Sequence, residues 1–112
     1  MKIAIPVVGG NLSAHFGHCE TFALIDVDLQ AKKIIARQDF PSPEHQPGLL
    51  PAWLAEQGAN MIISGGMGPQ AQQLFAQNNI EVIMGAPEAE PTRVVEDYLA
   101  GRLAAGDNAC DH

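Results

Sequence analysis

Apolar positions along this chain fall into short blocks that alternate between strand-like and helix-like spacing. Ile3 to Val8 is a β-branched run, as expected for a strand buried on both faces. Gly9 to Cys19 is polar and glycine-bearing and reads as a loop. Thr21 to Asp28 carries Phe22, Leu24, Ile25 and Val27 and reads as a second strand. After a turn at Asp28 to Ala31, Lys32 to Arg37 reads as a third strand, folded back as a hairpin because the connection is short. Asp39 to Gly48 holds three prolines and is expected to be loop.

Beyond that loop the spacing changes. Leu50, Trp53 and Leu54 recur at helical intervals in Leu49 to Gln57, and Gly58 ends that helix. Asn60 to Ser64 is a short strand. Gly65-Gly66-Met67-Gly68 is a tight loop, and Pro69 starts a helix carrying Ala71, Leu74 and Phe75 as far as Asn78-Asn79. Ile80 to Met84 is a fifth strand and Gly85 to Glu90 a loop. Pro91 opens a third helix with Val94, Val95, Tyr98 and Leu99 as its buried stripe, up to Gly101. The order β-β-β-α-β-α-β-α predicts an α/β fold. Its mixed five-stranded sheet is antiparallel at one edge, with helices on its faces. Residues 1–104 form one domain in this reading, and 105–112 a flexible tail.

Composition narrows the function. The chain has 112 residues, 46% of them apolar, enough for one real core. Acidic residues outnumber basic ones 13 to 6, for a net charge of −7. Such a chain repels phosphate backbones, which argues against nucleic acid and suits solubility or a basic partner. No apolar run approaches the roughly 18 residues that would signal a membrane span. The opening block is broken by Pro6 and Gly9-Gly10 too early for a signal peptide. A cytoplasmic protein is expected, with its two cysteines reduced rather than bridged.

Those cysteines sit among histidines. His15, His18 and Cys19 cluster in the loop after the first strand, where open α/β sheets place ligands. Cys110 and His112 stand two positions apart in the tail. Thiolate and imidazole are ligands for soft and borderline metals, and two donors alone cannot close a tetrahedral site. The bland alternatives are solvated loop histidines with Phe16 plugging the core, an idle terminus, or a reversible Cys19–Cys110 disulfide. His45 lies in a proline-stiffened loop just before a helix start; its plain reading is an exposed surface histidine. The Gly65-Gly66-Met67-Gly68 turn before Pro69 could offer backbone N–H groups to an anion, or be simply a tight turn. It is neither a phosphate-binding Walker loop nor a dinucleotide fingerprint. No nucleophile elbow, paired carboxylates or Ser/His/Asp set stands out, so a non-enzyme is expected.

As a set, these segments resemble the dinitrogenase iron–molybdenum cofactor biosynthesis accessory family. The likeness is carried by Lys2-Ile3-Ala4-Ile5-Pro6, Ser13-x-His15-Phe16-Gly17-His18-Cys19-x-x-Phe22 and Glu44-His45-x-Pro47-Gly48-Leu49-Leu50-Pro51-x-Trp53-Leu54. It continues through Ile63-x-Gly65-Gly66-Met67-Gly68-Pro69, Asn79-Ile80-Glu81-Val82, Tyr98-Leu99-x-Gly101-x-Leu103 and Cys110-Asp111-His112. The resemblance implies a ribonuclease H-like fold. It also implies a non-catalytic carrier of iron–molybdenum cofactor or a related molybdenum, iron or copper–sulfur cluster, dealing with cofactor-biosynthesis or acceptor proteins. One branch, the orange proteins, holds a molybdenum–copper sulfide cluster. On this reading Ser13, His15, Phe16, Gly17, Gly65, Gly66 and Gly68 would line the cofactor pocket, and His15, His18, Cys19, His45, Cys110 and His112 would supply metal ligands. The rivals are a mononuclear zinc or copper site built from the same residues, an acidic scaffold domain, and an unrecognised hydrolase.

Overall fold

The computed structural model describes residues 1–16, 19–42 and 49–103. Its elements are β1 (Lys2–Val8), β2 (Asn11–Leu12), β3 (Thr21–Asp28), β4 (Lys33–Pro41), α1 (Leu49–Glu56), β5 (Met61–Ile63), α2 (Pro69–Gln77), β6 (Glu81–Ile83) and α3 (Pro91–Leu99). The strands form a six-stranded mixed sheet ordered β4-β3-β1-β5-β6, with β2 beside β1. β1 is antiparallel to β3 from Lys2↔Asp26 to Val7↔Thr21, and parallel to β5 at Ile3↔Met61 and Ala4↔Ile62.

The central place of β1 explains its unbroken apolar run. Ile3, Ile5 and Val7 face α3, meeting Val94, Val95 and Leu99. Ala4 faces the other way, with Phe22 and Leu24 of β3, Leu50 and Leu54 of α1, and Phe75 of α2. Side chains alternate across the sheet at period two, so both faces of β1 need cover. The α3 stripe is buried at Val94, Val95 and Leu99, while Tyr98 only partly joins the core. Of the α2 stripe, Phe75 alone is fully buried.

Two expectations need correcting. The sheet has six strands rather than five, because Asn11–Leu12 folds back on Val7 and Val8 inside the segment read as loop. Asp39 to Pro41 is strand rather than loop, since pairing with β3 continues through Ala23↔Asp39, Phe22↔Phe40 and Thr21↔Pro41. Pro41 is tolerated there because β4 is an edge strand, with no second neighbour needing its N–H.

β4 is tied to α3 by one cation. Arg37 donates to Asp39 through Nε at 2.8 Å and Nη2 at 3.0 Å. Its Nη1 donates to Glu90 Oε1 and, at 2.9 Å, to Thr92 Oγ1. Glu90 is also the N-cap of α3, accepting the Thr92 N–H at 3.0 Å. The Arg37 hydrogen bonds hold the Asp39 carboxyl below its ordinary range, with partial burial opposing. At Glu90 burial pushes upward, but the bonds from Arg37 and from the Thr92 and Arg93 amides outweigh it, and the net direction is down. Carboxylates depressed on folding stabilise fully above their unfolded values and lose that contribution as pH falls through the folded ones. Because these groups are well exposed, the cluster is expected to contribute only about 0–1 kcal/mol. The melting-temperature gap between wild type and Arg37→Met should be small near neutral pH. It should close as pH falls below about 4, where unfolded carboxyls titrate. Thermal melts across that range check this.

A candidate cargo site at the carboxyl ends of the strands

β1, β4, β5 and β6 all run the same way, since β1 and β4 are each antiparallel to β3 and β1, β5 and β6 are parallel. The segments that follow them therefore meet at one pole of the sheet, the usual place for ligands in open α/β sheets. Of the sequence candidates, Ser13, His15, Phe16, Gly65, Gly66 and Gly68 lie on the segments that follow β1 and β5.

The segment after β1 is held at both ends. Gly9 and Gly10 have φ of 60° and 83°, which suits a two-residue hairpin turn between β1 and β2. The Leu12 N–H donates to the Ala89 carbonyl at 2.8 Å, and the Ser13 N–H to the Pro6 carbonyl at 2.8 Å. At the far end the Glu20 N–H donates to the Val7 carbonyl at 2.8 Å, and Glu20 Oε1 accepts the Gly9 N–H at 2.9 Å.

Within the segment Ser13 makes a local turn. Its buried hydroxyl donates to the His15 carbonyl at 2.8 Å and accepts the His15 N–H at 3.2 Å. This leaves His15 at the surface while Phe16 drops into the core, 7% exposed. The Phe16 ring meets Phe75 edge-on at 5.2 Å and Phe22 at 6.1 Å. Phe22 continues to Trp53 and Trp53 to Phe40, so a chain of rings runs from α2 to the sheet edge.

The glycine turn after β5 lies directly against this segment. The Phe16 N–H donates to the Gly66 carbonyl at 3.0 Å, and the Gly65 N–H to the Ser13 carbonyl at 3.2 Å. A Cβ on Gly65 would sit 2.7 Å from the Ala14 Cα, closer than real carbon contacts come. Gly65 thus leaves room for the Ala14 backbone, and its own amide is already committed to the Ser13 carbonyl. Gly68 is exposed and forms the N-cap of α2 with extended φ and ψ of −68° and 158°, followed by Pro69.

Cys19 is half-buried, a free thiol with Sγ 3.8 Å from the Ser42 hydroxyl just beyond β4. Burial pushes its ionisation upward, and the Ser42 contact pulls it only part of the way back. The group is a neutral thiol at neutral pH and must lose a proton to ligate metal.

The structure therefore brings together Ser13, His15, Phe16, Gly65 and Gly66; Cys19, later in the segment that bears His15, lies beside Ser42 just beyond the end of β4. Gly17, His18, His45, Cys110 and His112 lie outside the described residues. Among the described residues no three His, Cys, Asp or Glu side chains group as a metal site. Sequence reasoning did not single out Ala14, Ser42 or Ser64. Ser64 is fully buried and its hydroxyl donates to the Gly66 carbonyl at 3.1 Å. Its one sequence signal is a polar residue closing the apolar run Met61 to Ile63.

Over residues 1–101 the sequence matches the family described as Dinitrogenase iron-molybdenum cofactor. The chain belongs to this family. A relative, the uncharacterized protein MJ0580 of Methanocaldococcus jannaschii, is 37% identical over 107 residues, covering 92% of this chain and 89% of its own. The crystal structure of PH0822 superposes with a TM-score of 0.89 at 23% identity, over 100% of both chains. The apo form of the orange protein from Desulfovibrio gigas superposes at 0.72 with 22% identity, over 96% of this chain and 93% of its own. At these identities the two structures establish the shared fold. No helix among the described residues is long and apolar enough to cross a membrane.

Proposed function

We propose that this family member is a small cytoplasmic, non-catalytic carrier of an anionic metal–sulfur cluster. The cargo would be iron–molybdenum cofactor, its precursor, or a related molybdenum, iron or copper sulfide. It would be received from and released to cofactor-biosynthesis or acceptor proteins. The carrying observation is the contact between the Ser13–Phe16 segment and the Gly65–Gly66 turn, sealed by two backbone hydrogen bonds at the ligand pole of the sheet. The order β4-β3-β1-β5-β6, in which β3 alone of these five is reversed, supports the ribonuclease H-like arrangement that the family resemblance implies.

The residues suit such a cargo. His15 is exposed next to a rigid floor, and His18 follows it within the same loop. Cys19 contributes sulfur once deprotonated. The open end of α2, with no side-chain cap, presents partial positive charge toward an anion near Gly68. A protein of net charge −7 repels an anion at long range, so retention rests on short-range contacts and stays reversible. In this reading residues 1–104 form the carrying domain, His45 closes one side of the site, and Cys110 and His112 clamp it. Metal held by imidazole and thiolate competes with protons, which supports release as well as capture.

The test is retention. Protein isolated anaerobically with its cargo is challenged with a chelator while visible absorbance is followed. The double variant His15→Ala/His18→Ala should lose cargo about tenfold faster, the scale on which ligand-shell changes act, with an unchanged far-ultraviolet circular dichroism spectrum. An unaltered loss rate would remove both imidazoles from the site.

A further inference from the structure

Three segments at the ligand pole are joined into one closed frame, and one buried side chain holds the frame's centre. The segment after β1 joins the segment after β6 through the Leu12 N–H and the Ala89 carbonyl at 2.8 Å. The segment after β6 joins the glycine turn through the Gly85 N–H and the Gly65 carbonyl at 3.0 Å, and the Ala86 N–H and the Ser64 carbonyl at 3.3 Å. The glycine turn closes the ring through its bonds from Gly65 to Ser13 and from Phe16 to Gly66.

The Gly66 carbonyl is shared. It accepts the Phe16 N–H at 3.0 Å and the Ser64 hydroxyl at 3.1 Å, one donor from each side of the frame. Ser64 has no exposure to solvent, and its N–H is committed to the Ile83 carbonyl at 2.9 Å. A fully buried hydroxyl must find an acceptor inside the protein, and this one aims at the carbonyl that seats the residue after His15. Turning the Gly66–Met67 peptide, which carries this carbonyl, would break the bond to Phe16 and leave the hydroxyl stranded.

We infer that Ser64 is a positioning residue for the cargo site: its hydroxyl fixes the Gly66 carbonyl, which fixes Phe16 and so the approach of His15. This rests on the carrier reading for its consequence, but its structural arm stands alone. Ser64 touches no cargo. It sets the floor before cargo arrives, so that binding need not order the loop.

The experiment uses the full chain in three forms: wild type, Ser64→Ala and Ser64→Thr. Amide hydrogen exchange is read residue by residue, and binding is titrated with tetrathiomolybdate, a soluble molybdenum–sulfide anion. In S64A the amides of Phe16 and Gly65 should exchange about tenfold faster, the change expected from losing one hydrogen bond of ordinary net strength. The amides of Ile5 and Val95 in the core should not change, and the anion should bind about tenfold more weakly through the same loss. S64T keeps the hydroxyl and should restore slow exchange at Phe16 and Gly65 even where its extra methyl lowers the melting temperature. Unchanged exchange at both amides in S64A would overturn the inference. So would S64T behaving like S64A, because the hydroxyl would then not be the operative group. A wild type that ignores the anion refutes the carrier reading, while the exchange data still decide the role of Ser64.

Discussion

Phe16→Ala is expected to lower the unfolding free energy by about 3–5 kcal/mol, the range for emptying a buried aromatic position. Phe16 is 7% exposed, and its ring lies between Phe75 of α2 and Phe22 of β3. Alanine there removes two ring contacts and leaves a void between a helix and the sheet. The neighbours cannot close it cheaply, because Phe22 is itself fixed against Trp53. The consequence reaches the site as well as the core. Phe16 is the plug that holds the loop bearing His15 and Cys19 onto the body of the protein. Chemical denaturation should show the loss of stability, and Cys19 should become more accessible to alkylation than in wild type. Stability within about 1 kcal/mol of wild type would mean that the ring does not anchor the loop.

Gly65→Ala acts at the same junction from the other side. Its added carbon would lie 2.7 Å from the Ala14 Cα, and the obstacle is backbone rather than a movable side chain. Overpacking of this kind costs about 1–3 kcal/mol and sometimes more. The relief open to the chain is to part the two segments, which would stretch the Gly65–Ser13 and Phe16–Gly66 hydrogen bonds together. The variant should therefore melt at lower temperature and also retain cargo poorly. A distant core substitution of equal cost, such as Val95→Ala in α3, should lower the melting temperature without the second effect. Full cargo retention in Gly65→Ala would show that the contact between loop and turn is not part of the site.

Much of the fold is legible in local patterns because local patterns cause it. The unbroken apolar run of β1 reflects its central place, and the helical spacing of Val94, Val95 and Leu99 reflects a single buried face. What escaped has physical reasons too. β2 spans two residues, too few for any periodicity. The end of β4 was hidden by Pro41, which usually signals loop but is harmless on a sheet edge. At the candidate site, His15 and Cys19 stand out in the sequence by residue type alone. The scaffold does not, because its key contacts join residues about fifty positions apart: Phe16 with Gly66, Ser13 with Gly65. A glycine that donates an amide to ligand and one that makes room for a neighbouring backbone look alike in a sequence. Only the 2.7 Å approach to Ala14 tells them apart.

The most direct measurement is to isolate the untagged full chain anaerobically and to record its visible spectrum alongside its metal and sulfide content. A bound metal–sulfur cluster predicts charge-transfer absorption with molybdenum, iron or copper present together with inorganic sulfide. Colourless protein carrying stoichiometric zinc and no sulfide would contradict it, as would metal-free protein isolated with a stoichiometric protein partner.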